Sequence, residues 1–235
     1  MALLHRLNLS HKFLILGAIA LLMVVLPSTL YFKRVFADVA FFQGEAHGSA
    51  SLVALNKVIR LTQTHRGLSA AMLNGNEALA ARRPAMRDSV VQAMDALDGD
   101  LKQAGASEKI QNHWQALHKS WTTLEHGVAN QQLKAAESTQ LHTKLIAEQL
   151  LLDEELLDEF GLSLDPDADV YFLIQSTMVN MPWLAENLGV MRALGSGFLT
   201  QASLPPEGRA TLQGLQKRVL QLQGDMFRNL KKATD

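Results

Sequence analysis

Apolar residues fall along this chain in two patterns, and both predict helix. From Phe13 to Phe32 the run FLILGAIALLMVVLPSTLYF carries no charge; as a helix it would reach roughly 30 Å, the thickness of a bilayer's hydrocarbon core. Beyond it, apolar positions recur at three- and four-residue steps almost to the C-terminus, and no segment alternates as a strand would. The spacing predicts an all-α protein, with an N-terminal transmembrane helix followed by an antiparallel helical bundle. That bundle is either a simple up-and-down arrangement or two stacked four-helix bundles whose longest helices serve both layers.

Punctuation residues divide the pattern. The first soluble helix is expected to continue from the span through Met72 and to stop at Asn74–Glu77, NGNE, whose Asn and Gly tolerate a left-handed backbone. A second restarts near Pro84 and ends before Gly105. Ser107 is placed to cap a third, with Ile110, Trp114, Leu117, Trp121 and Leu124 along one face. The polar stretch His126–Thr139 fits either a turn or continuous helix. Helical spacing returns from Leu141 to Leu162 and again from about Asp169 to Leu199, and SLPPEG separates a last amphipathic helix.

The long apolar run changes the expected location. It divides the chain into a cytoplasmic N-terminus (1–12), a transmembrane helix (13–32) and an extracytoplasmic helical domain (33–235). Arg6 and Lys12 precede the span and Lys33 and Arg34 follow it, so orientation rests on the short N-terminus staying inside. A cleaved signal peptide is the alternative, but the run exceeds a usual signal core and Lys33–Arg34 interrupts the approach to Val35–Ala37.

Composition narrows the chemistry. Of 235 residues, 48% are hydrophobic, enough for a sizeable core, and a net charge of −1 with few aromatics gives no nucleic-acid surface. The absence of cysteine excludes disulfides, thiolate metal sites and a cysteine nucleophile. Asp165, Asp167 and Asp169 resemble the start of an EF-hand loop, but Val170 and Ser176 stand where glycine and glutamate are required. Asp165 is read instead as a helix N-cap, with Pro166 in the first turn. His113, His118 and His126 lack the four-residue spacing of a helical zinc site, and Glu154 and Glu155 fit a solvated face. No phosphate loop, nucleophile elbow or acid/base pair is recognisable, so the sequence supports no catalytic residue, metal or cofactor and points away from an enzyme.

Two arginines do not fit an inert bundle. Arg66, in TQTHRGLSAAMLNG, shares a face with Leu52, Leu55, Ile59 and Leu73; Arg192, in LGVMRALGSGFL, borders another apolar stripe. Beside Arg192 run Ala185, Gly189, Ala193 and Gly197, a flank where a neighbouring helix can approach closely. A buried arginine keeps its proton and needs an acceptor: a carboxylate from another helix, backbone carbonyls, or an anion from solution. In the last case Arg66 and Arg192 would hold a small anion bidentately, Gly67 would relieve crowding beside the guanidinium, and Ser69 would add a hydroxyl donor.

The stretch TQTHRGLSAAMLNGN resembles the arginine-glycine-x-serine segment on the first helix of the nitrate- and nitrite-sensing domain of bacterial receptors. LDPDADVYFLIQSTMVNMPWLAENLGVMRALGSG is similar to the extracytoplasmic region of methyl-accepting chemotaxis proteins and membrane diguanylate cyclases. The resemblance implies a helical sensor in the periplasm, anchored in a bacterial inner membrane. It further implies arginines binding an oxyanion and a helix displacement carried to a cytoplasmic output module. In the family motif a glutamate commonly precedes the arginine, where this sequence has His65. The chain ends at LKKATD with no second span and no output module, as a fragment or truncated receptor would.

These observations set the expectation of a membrane-anchored, homodimeric sensory domain for a small anion or other small polar ligand, with no nucleic-acid partner. Its rival is a membrane-tethered helical scaffold that binds protein partners. Exposed apolar stripes would favour the scaffold, and inward arginines with no carboxylate nearby would favour the sensor.

Overall fold

A computed structural model describes residues 8–200 and 202–235; residues 1–7, which include Arg6 and most of the expected cytoplasmic segment, lie outside the described residues. Among the described residues every regular element is helical. They are α1 (Leu9–Leu73), the one-turn α2 (Glu77–Ala80), α3 (Arg83–Gln103), α4 (Glu108–Ala129), α5 (Ala135–Glu159), α6 (Ala168–Ile174), α7 (Met181–Thr200) and α8 (Pro206–Lys232). A 3₁₀ turn covers Leu162–Leu164, and a π-helical turn over Gln175–Asn180 joins α6 to α7.

The chain divides into two units, residues 1–44 and 45–235. The first holds the apolar run, with a mean hydropathy of 2.5 and none of its best window buried, long and apolar enough to cross a membrane. Leu14, Leu22, Leu16 and Val24, spread around its circumference, are all exposed, as suits a helix apolar all round. Pro27 lies inside it.

In the second unit the core is built by the later part of α1 with α3, α4 and α5. Leu52, Leu55, Val58 and Ile59 of α1 meet Met94 and Leu97 of α3, Trp114 and Trp121 of α4, and Ile146 and Leu150 of α5. The amphipathic stripe expected on α4 is fully buried, and the Trp114 indole donates to Asp98. Helix α5 runs antiparallel to α1: Gly48 lies against Phe160, Asn56 bonds Asp153, and His65 bonds His142. Helices α6 to α8 form a second layer on these two. Trp183 of α7 donates to Glu154 of α5 at 2.6 Å, Arg66 of α1 pairs with Glu186 of α7, and Ser176 reaches the Met226 carbonyl of α8. Two helical layers that share α1 and α5 result.

Helix ends follow the turn chemistry. After α1, Gly75 at φ +84° lets its N–H reach Met72 O at 2.9 Å and the Asn76 N–H reach Ala71 O at 3.0 Å, the paired closure of a Schellman motif. Gly105 ends α3 likewise, and Ser107 caps α4 through Ile110 N. The polar stretch after His126 does contain a break, at 130–134, where Gln131 adopts φ +54°. Asp165 is not an N-cap. Its carboxylate accepts from Asp167 N at 2.7 Å in a local turn, and α6 starts at Ala168, two residues beyond Pro166. The short side chain captures the nearest free N–H before a helix can form around it.

Candidate functional site

Arg66 sits one turn after Thr62 on the α1 face that meets α7, and it is 4% exposed. Its Nη1 and Nη2 donate to the two carboxylate oxygens of Glu186 at 2.5 and 3.1 Å, and Nη1 also donates to Thr143 Oγ1 at 3.0 Å. Gln63, one helical turn earlier, donates to Glu186 Oε2 at 3.0 Å. Glu186 is also 4% exposed. A buried guanidinium without such a partner would carry a large desolvation cost, and the end-on bidentate pair removes most of it.

The pairing leaves part of the arginine for other work. Glu186 and Thr143 take three of the five guanidinium N–H groups, and the Nε–H with the second Nη2–H form the side-on fork. Next to Nη2 lies Gly189, where a Cβ would stand 2.9 Å from that nitrogen. An open pocket of about 260 Å³ is lined by Gln63, Arg66, Ala185, Leu188, Gly189 and Arg192. The structure therefore brings Arg66 and Arg192, 126 positions apart in sequence, to one cavity between α1 and α7. Arg192 is exposed, and so supplies a solvated positive charge opposite a rigid, buried one.

The other two expected residues lie elsewhere. Gly67 is exposed and nothing approaches a Cβ built on it within 4 Å, because it is rotated about 100° around the helix from Arg66. The glycine that makes room for the guanidinium is Gly189. Ser69 is buried, but its hydroxyl meets His65 Nδ1 at 3.3 Å on the face turned to α5, and it does not line the pocket.

His65, the residue that departs from the family motif, also faces α5. Its Nδ1 lies 3.0 Å from His142 Nε2, and His142 Nδ1 lies 2.7 Å from the Ser138 carbonyl. The carbonyl can only accept, so His142 carries its proton on Nδ1 and His65 donates from its own Nδ1. Burial, then the nearby cations, pushes His65 down to about 2 and His142 to about 4. His65 also packs edge-on to Trp121, with ring centroids 4.7 Å apart. Further along the same interface, burial and the neighbouring Glu154 push the Asp153 carboxyl up to about 8 while Asn56 donates to it at 2.9 Å. The α1–α5 contact thus carries neutral polar groups, and charge is concentrated on the α1–α7 side.

Sequence reasoning missed Glu186. Its signal was present in LAENLG, a lone carboxylate set between Ala185 and Gly189 on the small-residue flank. Glu154 and Glu155, read as a solvated face, are both engaged: Glu154 accepts the Trp183 indole, and Glu155 binds His113 and Lys109 at 2.9 and 3.1 Å. Those partners come from α7 and α4, and no periodicity within α5 announces them.

The architecture is a two-layered helical bundle in which two arginines line one cavity between α1 and α7. The profile of the nitrate and nitrite sensing family matches residues 57–234, and the chain belongs to that family. The solved structure titled "Structure of the NasR transcription antiterminator" has the same fold, with a TM-score of 0.67 and 18% identity over 84% of this chain and 55% of that one. The present chain therefore spans about half the length of that solved protein. No curated protein matches the sequence.

Proposed function

We propose that this chain is the ligand-binding sensory part of a bacterial transmembrane receptor and takes nitrate or nitrite in the α1–α7 pocket. The observation that carries the reading is Arg66 and Arg192 lining one cavity inside the region matched by the nitrate and nitrite sensing family. Nitrate presents its oxygens in a plane, which suits the side-on fork of a guanidinium. Glu186 pins that fork from behind, and Arg192 neutralises the charge of the ligand's outer side. Ligand closing the gap between α1 and α7 would move packed helices by an ångström or so, and α1 is the helix that also carries the apolar run. The proposal places the apolar run in the inner membrane and the bundle in the periplasm, with a second copy as partner and an output module on the cytoplasmic side.

The carboxylate beside Arg66 weighs toward an internal ion pair, and the side-on fork with Arg192 restores the case for an anion. A scaffold reading draws on exposed apolar residues of the outer layer, Leu173, Met181, Leu188, Leu220 and Phe227. A thermal-unfolding panel on the full chain in detergent separates the two. Nitrate or nitrite at a hundredfold excess over its Kd should add about 2.7 kcal/mol of stability, and Arg66→Ala should remove that gain. Equal transitions with nitrate, nitrite, sulfate, phosphate and no added anion would move the scaffold ahead.

A further inference from the structure

We propose that Glu186 is a specificity-determining residue that sets the charge of the α1–α7 pocket so that it accepts monoanions and rejects dianions. The inference rests on the pocket binding an oxyanion, as proposed above. Two arginines around one cavity would by themselves favour a doubly charged ligand such as sulfate, because each added ligand charge gains attraction from both cations. Glu186 changes the sum. Its carboxylate touches the Arg66 guanidinium at 2.5 and 3.1 Å and is almost wholly buried, so its charge acts on the pocket with little screening by water. With Arg66 and Arg192 positive and Glu186 negative, the net formal charge is +1, which one monoanion neutralises.

Geometry adds a second restriction. Glu186 and Thr143 occupy the end-on face and one outer N–H of Arg66, so Arg66 itself offers an incoming anion only two donors, in one plane. Gly189 keeps Nη2 approachable from the pocket, while Leu188 and Ala185 offer no further donors from their side chains. A dianion would be left with a second charge facing the Glu186 carboxylate and apolar walls. This is discrimination by a repulsive element as much as by an attractive one. The residue at 65 contributes no charge to the balance, because His65 is buried, neutral and turned toward His142.

The test is titration of the full chain in lipid nanodiscs with nitrate and with sulfate at constant ionic strength and neutral pH. Wild type should bind nitrate at least tenfold more tightly than sulfate, and Glu186→Asp, which keeps the charge, should preserve that ratio. Glu186→Gln should shrink the ratio at least tenfold. Because that variant leaves a buried guanidinium without its counter-charge and can fail to fold, Gln63→Lys provides a second route: it adds one positive charge at the pocket wall with Arg66 still paired. It too should shrink the ratio at least tenfold. Nitrate binding retained with an unchanged nitrate-to-sulfate ratio in the folded variants overturns the role of Glu186 and leaves the sensory reading standing. A wild-type chain that binds neither anion overturns both.

Discussion

Two buried histidines and a buried carboxyl of the α1–α5 interface make stability depend on pH in opposite directions. His65 and His142 titrate near 6.5 when exposed but at about 2 and about 4 in the fold, so only the unfolded chain takes up their protons as pH falls through 6.5. Between about pH 7.5 and about pH 5 each should cost roughly 2 kcal/mol of stability, about 4 together. Asp153 has the reverse sign. Its carboxyl rises from 3.8 to about 8 on folding, so its stabilising contribution is full below 3.8 and is lost as pH rises toward 8. Over the same interval acidification returns roughly 3 kcal/mol from this group. The wild type should therefore lose only about 1 kcal/mol.

Asp153→Asn separates the effects. The amide oxygen can still accept from Asn56, the site no longer titrates, and the histidine loss is exposed at its full value of about 4 kcal/mol. Urea unfolding of the full chain in detergent, followed by fluorescence of Trp114, Trp121 and Trp183, measures both proteins at the two pH values. The variant's midpoint should fall more steeply with acid than the wild type's, by roughly 1 M or more of urea for a domain of this size. Parallel pH dependences in the two proteins would show that Asp153 does not enter the fold as a neutral acid.

Gly67→Ala should stabilise the chain by up to about 1 kcal/mol, since the site is helical, exposed and open, while nitrate affinity stays unchanged. Gly189→Ala places a methyl 2.9 Å from Arg66 Nη2 and should weaken nitrate binding at least tenfold in the same titration. Gln131→Gly relieves a left-handed backbone at φ +54° and should raise the unfolding midpoint by the equivalent of about 1 kcal/mol. Gly48→Ala forces a methyl into the Phe160 ring across the antiparallel contact and should cost about 1–3 kcal/mol in denaturant unfolding.

The helices were legible because each amphipathic stripe and each glycine or serine terminus is a local signal: the α4 stripe and the Ser107 cap stand where their spacing placed them. The convergence of Arg66 and Arg192 was legible from a different kind of signal, charge on a face that should be apolar. What was not legible depends on rotation and on partners from distant segments. Gly67 and Ser69 adjoin Arg66 in sequence, but steps of 100° carry one to solvent and the other to α5. Glu186 could not be paired with Arg66 before α7 was laid on α1, and the His65–His142 bond needed the antiparallel register of α1 and α5. Asp165 misled because the same carboxylate that caps a helix can close a tighter turn first.

The pocket between α1 and α7 is proposed to hold an oxyanion on two arginines. Calorimetric titration of nitrate into the full chain in nanodiscs, with Arg66→Lys and Arg192→Ala alongside, decides the point. Saturable one-to-one binding in the wild type, weakened at least tenfold by each substitution, is the predicted result, since lysine keeps the charge of Arg66 but loses its planar fork. Absence of nitrate and nitrite binding in a folded wild-type chain, or undiminished binding in both variants, would contradict it.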